Sequence, residues 1–193
     1  RHAMRNDVLS RMLALLGVLC CAACTMPDPE PEKRISLSTS SGVVSAETGP
    51  EGSLIFRDIP FAQPPEGAGR WAAPVRLDTP AQVISSKPEP VMCPQPQSMA
   101  SGGSEGEYLG SEDCLYLDIY APEQATASGL PVMLWIHGGS NVTGHKGTYD
   151  FSRFATREQV VVVVINYRLG PFGWFVHPAL NGADLRTPPL ANF

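Results

Sequence analysis

The chain has 193 residues, of which 43% are hydrophobic and 17% charged, and its 19 acidic side chains outnumber 14 basic ones for a formal net charge of −5. The charged residues are scattered along the chain and form no basic run of the kind that attracts nucleic acid, so we expect no nucleic-acid partner. The length suits a single domain.

The first 24 residues resemble a bacterial lipoprotein signal. Arg5 and Arg11 precede and flank a short apolar stretch over residues 12–23, which is too short to span a bilayer. Small residues then lead to Cys24, which in such a signal becomes the lipidated first residue. The alternative is an ordinary secretory signal cut nearby. We therefore predict an exported protein, either lipid-anchored to a bacterial membrane in the periplasm or at the cell surface, or secreted.

Residues 25–34 have a different composition from the leader. Prolines alternate with acidic residues over residues 27–32, a pattern that forms neither helix nor sheet and predicts a stiff, extended tether. The chain thus divides into a leader (1–24), a tether (25–34) and the N-terminal portion of a domain that we expect to be incomplete (35–193).

The domain begins with a predicted hairpin, in which strands over residues 42–46 and 53–57 flank a turn at 48–52 that is rich in glycine and proline. A loop rich in Pro, Ser and Gly follows over residues 87–110. It contains Gly102-Gly103-Ser104-Glu105-Gly106, a literal G-x-S-x-G. A nucleophile elbow needs a buried strand before it and a helix after it. Neither is predicted here, so we interpret this motif as a surface loop.

Three further strands are predicted over residues 115–120, 132–136 and 160–165, with a helix over residues 151–158. A strand, helix and strand in succession indicate a right-handed crossover and a parallel pair. The last two strands are continuous apolar runs, which favour a sheet covered on both faces. Ligands of such sheets bind outside the carboxyl ends of the strands.

A glycine turn stands at one of these carboxyl ends. His137-Gly138-Gly139 directly follows the strand over residues 132–136, so backbone N–H groups are exposed where the strand stops. Backbone N–H groups in such a position stabilise the negative charge that develops during acyl transfer. The turn therefore predicts an oxyanion site.

Four further segments accompany this turn in a fixed order. They are R-D-I-P-F-A-Q-P-P at residues 57–65, Arg70-Trp71, S-E-D-C-L-Y-L-D-I-Y at residues 111–120, and N-Y-R-L-G-P-F-G at residues 166–173. Together these motifs resemble the type-B carboxylesterase family, which includes the cholinesterases. The resemblance runs from about residue 42 to residue 193. It implies an α/β-hydrolase fold, of the α/β class, whose central, mostly parallel sheet is incomplete in this chain.

The resemblance also implies site residues. The amides of Gly139 and Ser140 are the expected oxyanion donors, and Gly138 allows close backbone approach. Ser140 stands where a third glycine is commoner, so its amide can donate only if Ser140 adopts the required dihedrals, and its β-carbon narrows the acyl pocket. The N-Y-R segment is expected to buttress the site. We interpret the nearby aromatic residues as core rather than acyl pocket: Trp135, Tyr167, Phe172, Trp174 and Phe175.

Two cysteines lie outside the leader, Cys93 and Cys114. In the family the cysteine of the E-D-C-L motif pairs with an upstream cysteine, which implies a Cys93–Cys114 disulfide, and an exported protein permits one. Two free buried thiols are the alternative. We predict no metal site, because no C-x-x-C lies outside the leader and no histidine pair has ligand spacing, and we predict no cofactor.

A catalytic triad needs a histidine beside the nucleophile. Among the four histidines, His137 is expected to hydrogen-bond the turn into shape, whereas His145 and His177 lie in loops without an evident partner. We therefore assign no triad residue and expect the serine, acid and histidine downstream of Phe193.

The sequence thus predicts the N-terminal fragment of a serine carboxylesterase, which hydrolyses a small-molecule ester through an acyl-enzyme in the complete protein and is inactive as this chain alone. One alternative is a non-catalytic, cholinesterase-like scaffold for binding or adhesion. Another is a short lipoprotein that serves as a surface binding module.

Overall fold

The computed structural model describes residues 35–39, 42–77, 81–84, 90–97, 106–126, 129–175 and 177. The leader with Cys24, the tether and most of the G-x-S-x-G loop lie outside these residues. The described strands are β1 Ser36–Thr39, β2 Gly42–Thr48, β3 Ser53–Pro60, β4 Ala81–Ile84, β5 Gln95–Pro96, β6 Tyr108–Leu109, β7 Tyr116–Pro122, β8 Val132–Ile136 and β9 Val161–Ile165. The described helices are α1 Ser152–Glu158 and α2 Gly170–Trp174.

One large sheet organises these strands in the order β1-β2-β3-β7-β9-β8, and β4 pairs with β2 outside this path. The sheet that we expect to be mostly parallel is mixed in its described part. Four pairs of neighbours are antiparallel: β1–β2, β2–β3, β3–β7 and β7–β9. Two pairs are parallel: β8–β9 and β2–β4. Short connections account for the antiparallel pairs β1–β2 and β2–β3, because a parallel crossover needs a dozen or more residues.

The predicted hairpin is confirmed as β2 and β3, which pair antiparallel with Ala46 opposite Phe56. Both strands run further than predicted. Their inward side chains form one core cluster, made of Val44, Ala46, Leu54, Phe56 and Ile59. The register of β3 against β7 shifts between Phe56 and Ile59, and Asp58 within this irregularity has a left-handed φ of 55°.

The unit β8-α1-β9 also matches its prediction. The strand predicted over residues 132–136 is β8, and it pairs parallel with β9, with Trp135 opposite Val164. Helix α1 begins where the Ser152 N–H donates to Asp150 Oδ1 at 2.8 Å. It ends at Gln159, whose left-handed φ of 52° turns the chain out of the helix. No helix of the described residues is both long and apolar enough to cross a membrane.

The apolar run of β8 is covered on only one face by the described residues. Met133 and Trp135 pack against a second core cluster built on Val162, Val164 and Ala155. The alternating side chains of Val132, Leu134 and Ile136 are 57–67% exposed. The expectation of a sheet covered on both faces is thus met on one side of β8 within this part of the chain.

The disulfide between Cys93 and Cys114 is present, with the two Cα atoms 5.0 Å apart, so the alternative of two free thiols does not hold. Both cysteines are fully buried in a third core cluster with Val91, Leu115 and Leu169. The bond spans 21 residues of sequence, and closing such a loop stabilises the fold by roughly 3 kcal/mol in the chain-entropy model. It holds the segment that carries β5 against the start of β7.

Candidate functional site

The glycine turn follows β8 directly and is built from left-handed backbone. Gly139 has φ 119°, and Ser140 and Asn141 follow with φ 57° and 59°. The N–H groups of Val142 and Thr143 both donate to the Gly139 carbonyl at 3.0 Å, which closes the turn. Within the described residues, the N–H groups of Gly139 and Ser140 form no hydrogen bond. Two adjacent donors are therefore left available at the carboxyl end of a strand.

Ser140 takes up a backbone conformation that costs a non-glycine residue about 1–2 kcal/mol. The turn can sustain this cost because Asn141 is anchored from outside, where the Gly170 N–H donates to its carbonyl at 2.7 Å. A side chain is tolerated less well at position 139 than at position 140, because a β-carbon on Gly139 would overlap the Thr143 carbonyl oxygen. A β-carbon on Gly138 would meet no described atom within 4 Å. The described residues therefore do not approach Gly138 closely enough to require a glycine there.

A cavity of about 560 Å³ opens beside the turn. Ser140, Asn141 and Arg168 contribute to its wall, and the apolar or aromatic remainder includes Phe61, Leu115, Ile136, Ile165, Tyr167 and Trp174. The interpretation of the aromatic residues as plain core is therefore correct for Trp135, which packs against the second core cluster. Tyr167 packs against the third core cluster and also borders the cavity, whereas Trp174 is 44% exposed and borders the cavity. The cavity lies outside the carboxyl ends of β8 and β9, as the parallel pair predicts.

His137 shapes the turn, as its position in the motif indicates. Its Nδ1–H donates to the Gly138 carbonyl at 2.9 Å, and its ring stacks on the Tyr167 ring with centroids 4.4 Å apart. The Tyr167 hydroxyl in turn donates to the His137 carbonyl at 3.0 Å. Because the Nδ1 proton faces an acceptor, neutral His137 carries a bare Nε2, which is buried without a partner among the described residues.

Burial lowers the pKa of His137, and the hydrogen bond to Gly138 offsets this only in part. A second proton would place an unpartnered N–H and a positive charge in the protein interior. The ring therefore favours its neutral form in the folded protein. Both the neutral and the charged ring keep the Nδ1–H bond to Gly138, so burial of the ring, and not this bond, favours the unprotonated form.

Asn166 buttresses the site, as the resemblance implies for its segment. Its Nδ2 donates to the carbonyls of Val91 at 2.9 Å and Cys114 at 3.1 Å. Its Oδ1 accepts from the Lys146 N–H at 2.7 Å. Asn166 is 1% exposed, so these three bonds join the end of β9, the disulfide region and the segment after the turn in a dry environment.

A buried charge cluster was not predicted from the sequence. Lys146 Nζ lies 2.6 Å from Asp118 Oδ1 and 2.8 Å from Asp58 Oδ1, and all three residues are at most 5% exposed. The Arg57 guanidinium approaches Asp118 Oδ2 at 3.8 Å. Asp58 and Asp118 belong to the R-D-I-P and E-D-C-L-Y-L-D motifs, but Lys146 lies in a stretch without a pattern, so nothing in the sequence pairs them.

Arg168 is the second basic residue buried near the turn. It is 6% exposed and lines the cavity, and both terminal nitrogens of its guanidinium lack a hydrogen-bond partner within the described residues. Burial lowers the pKa of this guanidinium. Its carbonyl accepts from the Trp174 indole N–H at 3.2 Å, which fixes α2 against the end of β9.

The described histidines are placed as follows. His145 Nδ1 accepts from the Gly147 N–H at 3.1 Å within its own loop, and His137 bonds to its own turn. His177 is the last described residue. Among the residues the structure covers, no three histidine, cysteine or acidic side chains form a cluster that could hold a metal ion.

The sequence was compared with those of known proteins and protein families. Residues 33–182 match the model of the carboxylesterase family. The chain belongs to the carboxylesterase family. It is 39% identical to human carboxylesterase 3 over 181 residues, which cover 89% of this chain and 32% of the relative. It is 38% identical to para-nitrobenzyl esterase of Bacillus subtilis over 143 residues, which cover 73% of this chain and 29% of the relative.

Solved structures of the family share the fold of this chain. A thermophilic PNB esterase superimposes with a TM-score of 0.64 at 38% identity, over 75% of this chain and 30% of that protein. The α/β-hydrolase fold expected from the motifs is therefore the fold of the described residues. This carboxylesterase-family chain spans about a third of the length of the relatives that it matches.

Substitutions at the three positions of the turn should change the free energy of unfolding by different amounts. We expect Gly139→Ala to lower the free energy of unfolding by at least about 2 kcal/mol, because it combines positive φ with a clash. Gly138→Ala is the control and should change it by less than about 0.5 kcal/mol. Ser140→Gly should raise it by about 1 kcal/mol by relieving left-handed strain. Urea unfolding measures all three, and equal losses for both alanine variants would contradict the observed backbone.

Acidification should weaken the fold partly through His137. Its folded pKa lies below the ordinary value of 6.5, so the unfolded state binds the proton more readily. The stabilisation is present above about pH 6.5 and is lost as the pH falls through the folded pKa. Urea unfolding at pH 7.5 and at pH 5 should show a smaller loss of stability for His137→Gln than for the unsubstituted protein. Parallel losses would contradict this assignment.

Proposed function

We propose that this chain is the N-terminal part of a serine carboxylesterase, in which the amides of Gly139 and Ser140 stabilise the oxyanion of an acyl-transfer reaction. The observation that carries the proposal is the pair of unbonded N–H groups at the end of β8, beside a cavity, in a member of the carboxylesterase family. Donors held in advance at the position where charge develops are worth about 3–4 kcal/mol each in related reactions.

The reaction that fits these donors has two steps. A serine oxygen attacks the ester carbonyl carbon, the carbonyl oxygen becomes negatively charged, and the alcohol leaves with a proton from a histidine. Water then hydrolyses the acyl-enzyme. We propose that the serine, the histidine and its acid are not among the described residues, where His137 and His145 are engaged by their own loop.

The described residues contribute binding and positioning to this reaction. Phe61, Leu115 and Ile165 give the cavity a predominantly apolar wall, which suits a small, uncharged ester. Ser140 and Asn141 add polar groups at the turn itself, and the Ser140 side chain narrows the space beside the carbonyl. The substrate class is therefore a small carboxylic ester with an apolar acyl group.

We also propose that the protein is exported and anchored through a lipid on Cys24. The apolar leader supports this, and the Cys93–Cys114 disulfide suits an oxidising compartment. More than one acyl chain is needed for stable anchoring. The Cys24→Ser variant should move from the detergent phase to the aqueous phase in Triton X-114 partition, whereas Cys93→Ser should not. A protein that is aqueous before any substitution would indicate the secreted alternative.

The complete reading frame that contains this sequence provides the test of activity. Its product should hydrolyse p-nitrophenyl butyrate and become covalently labelled by a fluorophosphonate, and Gly139→Ala should reduce kcat about 100-fold or more because the oxyanion donors are misplaced. The 193-residue chain alone should release no burst of p-nitrophenol.

Each part of this experiment has an outcome that would contradict the proposal. A burst from the 193-residue chain would mean that a nucleophile lies within it. A folded full-length product that neither hydrolyses the ester nor reacts with the fluorophosphonate would instead indicate the non-catalytic binding scaffold.

A further inference from the structure

A buried glutamine forms hydrogen bonds with the loop that follows the glycine turn. The Gly144 N–H donates to Gln95 Oε1 at 2.7 Å, and Gln95 Nε2 donates back to the Gly144 carbonyl at 3.0 Å. Gln95 Nε2 also donates to the Cys93 carbonyl at 3.2 Å. Gln95 is 2% exposed. Both halves of its amide therefore act within the protein, and together they satisfy both backbone groups of one glycine.

The backbone of Gly144 lies directly against the turn. Its φ is 117°, and a β-carbon there would overlap His137 Nδ1 and approach the Gly138 carbonyl oxygen at 2.6 Å. These are the two atoms whose hydrogen bond shapes the turn. A displacement of Gly144 would therefore open space behind His137 and Gly138, and the turn could relax into it.

Gln95 itself is fixed by a frame that is independent of β8. Its strand β5 pairs with β6, with Gln95 opposite Leu109. Two residues earlier, Cys93 is joined to Cys114, and the Ser111 N–H donates to the Met92 carbonyl at 3.0 Å. A β-carbon on Gly110 would overlap the Cys93 carbonyl, so this frame is tightly packed.

We propose that Gln95 is a positioning residue of the proposed esterase, which holds Gly144 so that the Gly139 and Ser140 amides keep the geometry of the oxyanion site. This inference rests on the proposed function. Gln95 lies behind the turn and acts through Gly144 and His137, without touching the cavity where a substrate would bind. The disulfide contributes by fixing the backbone from which Gln95 reaches the loop.

Such a role predicts a specific kinetic effect. A group displaced by about 1 Å from its productive position can cost about 100-fold in rate. Because the amides stabilise the transition state more than the bound ester, the loss should fall on kcat and leave KM within about threefold. A residue that served only stability would lower the amount of folded enzyme and leave the kcat of the folded fraction unchanged.

In the Gln95→Glu variant, a change of pH should make or break the contact between residue 95 and Gly144. When protonated, the introduced carboxyl has one donor and one acceptor, like the amide, and can pair with Gly144. When ionised it can only accept, and it faces the carbonyls of Gly144 and Cys93. His137, His145 and Lys146 also lie near Gly144, but they are present in both enzymes, so the ratio of the two kcat values at each pH isolates the new carboxyl.

The experiment measures kcat and KM for p-nitrophenyl butyrate from pH 5 to pH 8.5 in the full-length product, and the hydrogen-exchange protection of the Gly144 amide in the same samples. For Gln95→Glu we expect the kcat ratio to be near 1 at the acid end and to fall about 10- to 100-fold as the pH rises. Gly144 protection should fall at least about tenfold over the same range.

The matched control is Gln63→Glu, because Gln63 is exposed and its side chain donates to a single carbonyl, that of Arg76. It should follow the unsubstituted enzyme at every pH. A Gln95→Glu ratio that stays near 1, or unchanged Gly144 protection, would overturn the inference. If the unsubstituted product has no esterase activity, the proposed function fails, and Gly144 protection alone then decides whether Gln95 holds the loop.

Discussion

The donors at the glycine turn can serve a ligand only if the turn does not use them itself, and this constraint governs the structure around it. A loop with unbonded amides loses part of its own stabilisation, so it must be held by groups from other elements. Gln95 holds Gly144, Asn166 holds the Lys146 backbone, and Asp58 and Asp118 hold the Lys146 ammonium. The segment after the turn is therefore fixed at three points by buried side chains.

The sequence predicted the parts of the site that depend on short-range patterns. Strand β8, helix α1 and the turn at His137 each have a local signature, namely an apolar run, a helical period and paired glycines. The supports have no such signature, because Gln95 and Gly144 are 49 residues apart and Asn166 and Val91 are 75 apart. Motifs identified Asp118 and Asn166 as notable residues without indicating which atoms they contact.

Two expectations about side chains failed for a common reason. Trp174 is a large aromatic residue, yet it is 44% exposed and lines the cavity, and the outer face of β8 is exposed although its sequence is apolar throughout. Hydrophobicity predicts that a side chain avoids water in the complete protein, but not which surface covers it. This chain spans about a third of the length of the relatives that it matches.

The charge cluster has a further consequence for the chemistry that we propose at the turn. Lys146 and Arg57 are balanced by Asp58 and Asp118, so the group holds the loop without adding a net charge behind it. An unbalanced lysine there would attract an oxyanion but would also stabilise any bound anion, including a carboxylate product, and would lower turnover. In the proposed reaction the neutral cluster adds no charge, so the stabilisation would come from groups that face the cavity, namely the two oriented amides, whose effect depends on geometry, and Arg168. For that reason the residues that fix the turn matter as much as the turn itself.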